Sequence, residues 1–210
     1  MKRIFFLVVA IGLSLSLQAQ VKVGDLMCVQ NGDTTFVHPD TYTSGAIGVV
    51  FYVDESGEHG WVIHPQIQAI SIYWSYYYEL PLGLTGWESI RDAIYDLDGY
   101  DNTYFLRQAS QYEHDKYPCA WVVDFEHGWY WPALGQLNIL YGSLPKVNAS
   151  LELIGGECLK GGWVCWSSSV YGFSDDCALC LTSAGQMAAI QKSRTSLPSC
   201  PLSVRSIRDF

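Results

Sequence analysis

The chain has 210 residues, a length that suits one domain, and its 49% hydrophobic and 14% aromatic content supplies a packed core and argues against intrinsic disorder. Charged residues are 16%, against about 25% in an average soluble domain. With 21 acidic side chains against 12 Lys and Arg, the net charge is −9, which argues against nucleic acid and anionic lipid as partners because both need a basic footprint.

Residues 1–19 read as a signal peptide. Lys2 and Arg3 precede an apolar run from Ile4 to Leu17, and Leu17-Gln18-Ala19 offers a cleavage site after Ala19. The run is about 14 residues, short of the roughly 20 that span a bilayer, so stable membrane insertion is not expected. No Cys follows it, which leaves a lipoprotein anchor unsupported. The expected product is an exported chain, 20–210, that is periplasmic, cell-surface or secreted and folds as a single domain.

Past the leader, Asn31-Gly32 predicts a hairpin turn between strands at 26–30 and 34–37. The run 47–53 and the stretch 61–64, separated by a polar turn, read as a second strand pair. An aromatic loop, Tyr73-Trp74-Ser75-Tyr76-Tyr77-Tyr78, follows. Thr85 with Glu88 fits a capping box for a helix carrying Trp87, Ile90, Ile94 and Leu97, and Gly99 is read as its stop. Asp101 or Asn102 then caps a helix over 103–113. A short helix is expected over 119–125, another from Leu134, and a last one capped by Asn148 and ending at Gly155-Gly156. Strands at 163–168, 177–182, 186–191 and 202–208 close the chain. Strands, then helices, then strands indicate an α+β fold with a C-terminal antiparallel sheet.

The cysteines are Cys28, Cys119, Cys158, Cys165, Cys177, Cys180 and Cys200. Their odd number leaves at least one free or intermolecular, and a chain of this size folds without staples, so buried thiols are favoured over a full disulfide framework. Cys177 and Cys180 have C-x-x-C spacing, but in a predicted strand they point to opposite faces, which suits neither a dithiol nor half a zinc site. Asp96-Leu97-Asp98-Gly99-Tyr100-Asp101-Asn102 gathers oxygen donors of the kind calcium takes. Its glycine is misplaced for an EF-hand, and a helix boundary explains the same residues. The histidines are scattered, Ser167-Ser168-Ser169 lacks the glycines of a nucleophile elbow, and no phosphate-binding glycine motif occurs. No metal or other cofactor is expected. Asn148-Ala149-Ser150 matches a glycosylation sequon but is read as a helix cap.

Several blocks recur in an order that resembles a known family. They are Asp96-Leu97-Asp98-Gly99, Asn102-Thr103, Gly128-Trp129-Tyr130-Trp131-Pro132, Gln136-Leu137-Asn138-Ile139-Leu140-Tyr141, Val147-Asn148-Ala149-Ser150-Leu151, Trp166-Ser167-Ser168-Ser169 and the ending Val204-Arg205-Ser206-Ile207-Arg208-Asp209-Phe210. The set is similar to the exported bacterial Lcl C-terminal-domain-like proteins and covers most of the chain after the leader. The resemblance implies a C-type-lectin-like fold, shared with formylglycine-generating enzymes, with N-terminal hairpins, central helices and a small C-terminal sheet. Here Leu179, Trp131, Gln136 and Cys165 depart from the family's usual residues, and the catalytic cysteine spacing of the formylglycine-generating enzymes is not matched by Cys177 and Cys180.

In such folds the late loops form the ligand face, which here corresponds to about 171–199. Tyr171, Phe173, Asp175, Asp176, Gln186, Gln191, Lys192 and Arg194 are the candidate ligand-binding residues. The expected function is recognition of glycan or protein through these loops, without catalysis. The alternatives are a structural or adhesin component of a surface appendage or phage-type receptor-binding protein, and an oxidase-like enzyme using Cys177 and Cys180.

Overall fold

A computed structural model describes residues 20–77, 79, 81–172, 174, 176–197 and 200–210; the expected leader, Phe173 and Asp175 lie outside the described residues. Asn31 and Gly32 hold φ of 53° and 90°, the left-handed pair of a two-residue hairpin turn, and join β1 (Leu26–Gln30) to β2 (Asp33–Val37). The second hairpin joins β3 (Ala46–Val53) to β4 (Gly60–Ile63). Asp54 fastens its turn by accepting from Ser56 Oγ at 2.7 Å and Gly57 N at 2.9 Å. Short pieces follow: β5 (Ala69–Ile70), β6 (Gly86–Trp87) and helix α1 (Ile90–Ala93). The larger helices are α2 (Gly99–Ala109) and α4 (Leu134–Leu153), with the single turn α3 (Pro118–Trp121) between them. The chain ends in β7 (Val164–Tyr171), β8 (Cys177–Thr182), β9 (Met187–Gln191), β10 (Ser196–Leu197), β11 (Cys200–Val204) and β12 (Ile207–Asp209).

The architecture is α+β with two sheets. One has the order β12-β4-β3-β1-β2 and the other β10-β11-β7-β8-β9, with β5 and β6 added on β11 and β7. Helix α4 lies between them. Leu137, Leu140, Leu144, Val147 and Leu151 recur at three- and four-residue spacing and share a buried cluster with Val49, Phe51 and Ile63 of the first sheet and Leu179 and Leu181 of the second. The alternate residues of β8, Ala178 and Cys180, face the other side, where Trp74, Leu106, Tyr117, Trp131 and Trp166 fill a second cluster. The outer side of the first sheet is covered by Met27, Val50, Val62 and Trp129.

Four local expectations are corrected. Thr85 caps nothing: Gly86 and Trp87 pair with β7, and the short helix is capped by Ser89, whose Oγ accepts from Asp92 N at 3.0 Å. Gly99 opens α2 rather than ending a helix, because a Cβ there would lie 2.3 Å from Gln136 Oε1 and 2.8 Å from Trp131 O. Its smallness serves close packing. Helix α4 runs unbroken through Pro145 and Asn148; Pro145 is exposed, and the apolar stripe buried between both sheets outweighs the lost backbone bond. Asn148 instead clamps the return loop, its Nδ2 donating to Leu159 O at 3.0 Å and its Oδ1 accepting from Leu159 N at 2.8 Å. Finally, the late sheet is not wholly antiparallel. β11 runs parallel to β7, and the last strand divides at Arg205-Ser206 so that β12 joins the first sheet.

Arg205 sits at that crossing with 0% exposure. Its Nε donates to His64 O at 2.7 Å and its Nη2 to Pro65 O at 2.8 Å, so the guanidinium ties the crossing to the end of β4. Burial pulls it down to about 10, still well above neutral pH.

Candidate functional site

The three serines of β7 decide how this end of the molecule is held. Strand register shifts between Trp166 and Val170, and the side chains of Ser167, Ser168 and Ser169 are all buried. Each hydroxyl has work to do: Ser167 Oγ donates to Leu179 O at 2.8 Å, Ser168 Oγ accepts from Asn102 Nδ2 at 3.3 Å, and Ser169 Oγ donates to Asp96 Oδ2 at 2.7 Å. Asp96 also accepts from Trp87 Nε1 at 3.0 Å, Asn102 Nδ2 at 3.1 Å and Asp98 N at 3.1 Å. The oxygen-rich segment 96–102 is therefore a hydrogen-bonded joint between β6, α2 and β7. Its neighbour Asp98 has a carboxyl raised above the usual range, first by burial and then by Asp96 and Asp101.

With β7 fixed, the β7–β8 turn and the end of β9 come out at the same end of the second sheet, since Cys177 pairs with Gln191. The aromatic loop 73–77 docks on them. Trp74 N and Ser75 N both donate to Lys192 O, at 2.7 and 3.2 Å, while the Trp74 indole is buried and donates to Ser167 O at 2.9 Å. Past the buried Trp74 and Ser75 the loop turns outward. Tyr76 is 57% exposed and its ring lies 3.9 Å from that of Tyr73. Tyr77, also exposed, donates its hydroxyl to Glu113 Oε1 at 2.5 Å, and Lys116 Nζ lies 4.9 Å from its ring. The Glu113 bond pushes the Tyr77 phenol up from its ordinary value. Tyr117 closes the floor edge-on to Trp74 at 5.6 Å, and burial raises it to about 12.

The expected ligand residues divide. Tyr171, Asp176, Gln191 and Arg194 lie at this end; Gln191 and Arg194 are exposed, and Tyr171 and Asp176 are half-buried. The Asp176 carboxyl is held below its usual range, first by the Ser174 hydroxyl and then by Cys177. Lys192 is corrected as a surface contact: it is 0% exposed, and its ammonium lies 5.2 Å from the Trp74 ring, beneath the face. Gln186 is corrected as part of the same site. It belongs to the β8–β9 turn, where Thr182 N donates to Gln186 O, at the opposite end of strands about 17 Å long. Phe173 and Asp175 lie outside the described residues. Missing from the sequence reading was the 112–117 segment, which the fold brings against Tyr73 and Tyr77; the only cue was a tyrosine run too long to face one interior.

The cysteines have the character of packing groups. Cys180 is buried in the second cluster while Cys177 is half-buried on the other side of β8, a separation that prevents them closing into a disulfide without breaking the strand. Burial raises Cys165 to about 11 and Cys180 to about 12, and it raises Cys177 as well, against the direction that activates a thiol. Among the described residues no group of three or more His, Cys, Asp or Glu is placed to hold a metal ion. No helix among them is long and apolar enough to cross a membrane.

No protein-family model matches the chain, and no curated protein is detectably similar to it. The chemistry of the aromatic end therefore carries the functional reading.

Proposed function

We propose that the protein is an exported recognition module of C-type-lectin-like fold that binds glycan or protein without catalysing a reaction. Its ligand face is the end of the second sheet formed by Tyr171, Gly172, Ser174 and Asp176, by 191–194 and by the aromatic loop 73–77. The observation that carries this reading is the exposed Tyr76–Tyr77 pair, which follows a buried Trp74 and has Lys116 beside the Tyr77 ring, on a loop bonded to Lys192 O between the exposed Gln191 and Arg194. Tyrosine rings offer large contact area at low entropy cost and stack on sugar faces or apolar side chains, while the edge groups orient a polar partner. The raised thiols and the buried, hydrogen-bonded serines of β7 support recognition over nucleophilic chemistry.

A glycan-array screen of the purified protein, run with calcium and with chelator, tests the reading. A reproducible hit that is weakened by Tyr76→Ala and Arg194→Ala supports a glycan-binding face. A blank array, together with failure to retain any partner from native surface extracts in a manner sensitive to those substitutions, removes the proposal. Binding is expected to persist in chelator, because the Asp96 carboxylate is committed to four internal donors.

A further inference from the structure

A cavity of about 350 Å³ lies away from the aromatic face, between the segment leading into β1, the turn after β2 and the second half of α4. That volume suits a ligand the size of an amino acid. Gly24 shapes it. With φ of 100°, a conformation side-chain-bearing residues rarely adopt, it brings the backbone against α4, where Ser150 Oγ donates to Gly24 O at 2.6 Å.

The walls carry both kinds of chemistry. Val23, Pro39 and Ala149 are apolar, whereas Lys22, Asp25 and Lys146 bring charges of opposite sign. Asp25 is 8% exposed; its Oδ2 accepts from Lys22 N at 2.8 Å, and its Oδ1 takes no hydrogen bond among the described residues. Among the described residues neither lysine forms a salt bridge, with Asp25 or with any other carboxylate. His38, also on the wall, is engaged in capping the 39–41 turn, its Nδ1 accepting from Asp40 N at 3.3 Å. Three cations elsewhere are committed: Arg107 to Glu126, Lys160 to Glu152, and Arg205 to two carbonyls. A buried carboxylate and two lysines that share a cavity without pairing leave matched positions for a ligand bearing both charges.

We infer that this cavity binds a small zwitterion of the α-amino-acid class, with its ammonium at Asp25, its carboxylate between Lys22 and Lys146, and its side chain against Val23, Pro39 and Ala149. The site is independent of the aromatic face and goes beyond the recognition function proposed for it.

Calorimetric or NMR titration of the purified protein with L-leucine tests the inference, using 4-methylpentanoate and isoamylamine as controls that each lack one charge. Saturable binding of L-leucine is expected, with each control at least about tenfold weaker. Lys146→Gln alters an exposed side chain and leaves the fold intact, and it weakens L-leucine about tenfold, as does Asp25→Asn. The inference is overturned if neither L-leucine nor L-alanine binds the folded protein, if either control binds as tightly as L-leucine, or if Lys146→Gln leaves the affinity unchanged.

Discussion

Ser169 Oγ donates to Asp96 Oδ2 at 2.7 Å while accepting from Leu134 N at 2.9 Å, so one hydroxyl joins a central strand, the turn before α2 and the start of α4. Ala133 at the mouth of that helix has no side-chain oxygen to cap it. The strand supplies the missing acceptor from 35 residues away.

Removing either partner leaves buried donors unsatisfied. Asp96→Ala leaves the Trp87 indole and the Asp98 N–H without their acceptor and the Asn102 amide with Ser168 alone, and is expected to cost about 3 kcal/mol; Ser169→Ala costs about 1–3 kcal/mol. Urea unfolding followed by far-ultraviolet circular dichroism reads both as a lowered midpoint at unchanged slope. A midpoint unmoved by Asp96→Ala shows that the joint does not hold the fold.

The same geometry bears on calcium. Because the Asp96 oxygens already accept from four donors, millimolar calcium and chelator are expected to give the same Tm to within about 1 °C, whereas a specific ion would raise it by mass action. Differential scanning calorimetry in the two buffers distinguishes these outcomes.

Alkaline pH titrates the unfolded chain first. Cys165, Cys180 and Tyr117 are held neutral in the fold to about 11, about 12 and about 12, above ordinary values of 9.0, 9.0 and 10.0. Their folded values are raised, so the stability they confer is intact below about pH 9 and is lost as pH climbs through 9 to 12. Each group contributes a slope of about 1.4 kcal/mol per pH unit within its own window. Stability measured by urea titration at steps from pH 8 to pH 11 is expected to fall steeply past pH 9, and Cys180→Ala is expected to flatten that fall.

Thiol accessibility follows the faces of the strands. In the native protein, Cys158 and Cys177 are half-buried and are expected to react with a maleimide well before Cys28, Cys119, Cys165 and Cys180, which are buried. Peptide mapping by mass spectrometry checks the order. Cys177→Ser should change stability by less than about 0.5 kcal/mol, whereas Cys180→Ser places a hydroxyl in an apolar cluster and costs about 1–3 kcal/mol.

What could be read in advance was local. Asn31-Gly32 fixed a turn because its backbone preference is intrinsic, and the bounds of β8 follow from an apolar run between turn residues. What could not be read depends on neighbours distant in sequence. Gly99 resembled a helix stop, yet it is small because Gln136 and Trp131 press on it. Asn148 resembled the cap of a separate helix until both sheets closed on α4. Lys192 carries a charge that normally marks a surface, but the docking of Trp74 over it buries it. The separation of Gln186 from Gln191 follows from strand length, and the share of Glu113 and Lys116 in the face follows from tertiary packing alone.

The most direct test of the recognition face compares two ends of one sheet. Affinity for the partner found by array or capture is measured for the native protein, for the Tyr76→Ala/Tyr77→Ala/Arg194→Ala variant and for Gln186→Ala. Binding centred on the aromatic end predicts a loss of at least about 100-fold in the triple variant and no change in Gln186→Ala. Undiminished binding by a folded triple variant, or a loss confined to Gln186→Ala, contradicts it.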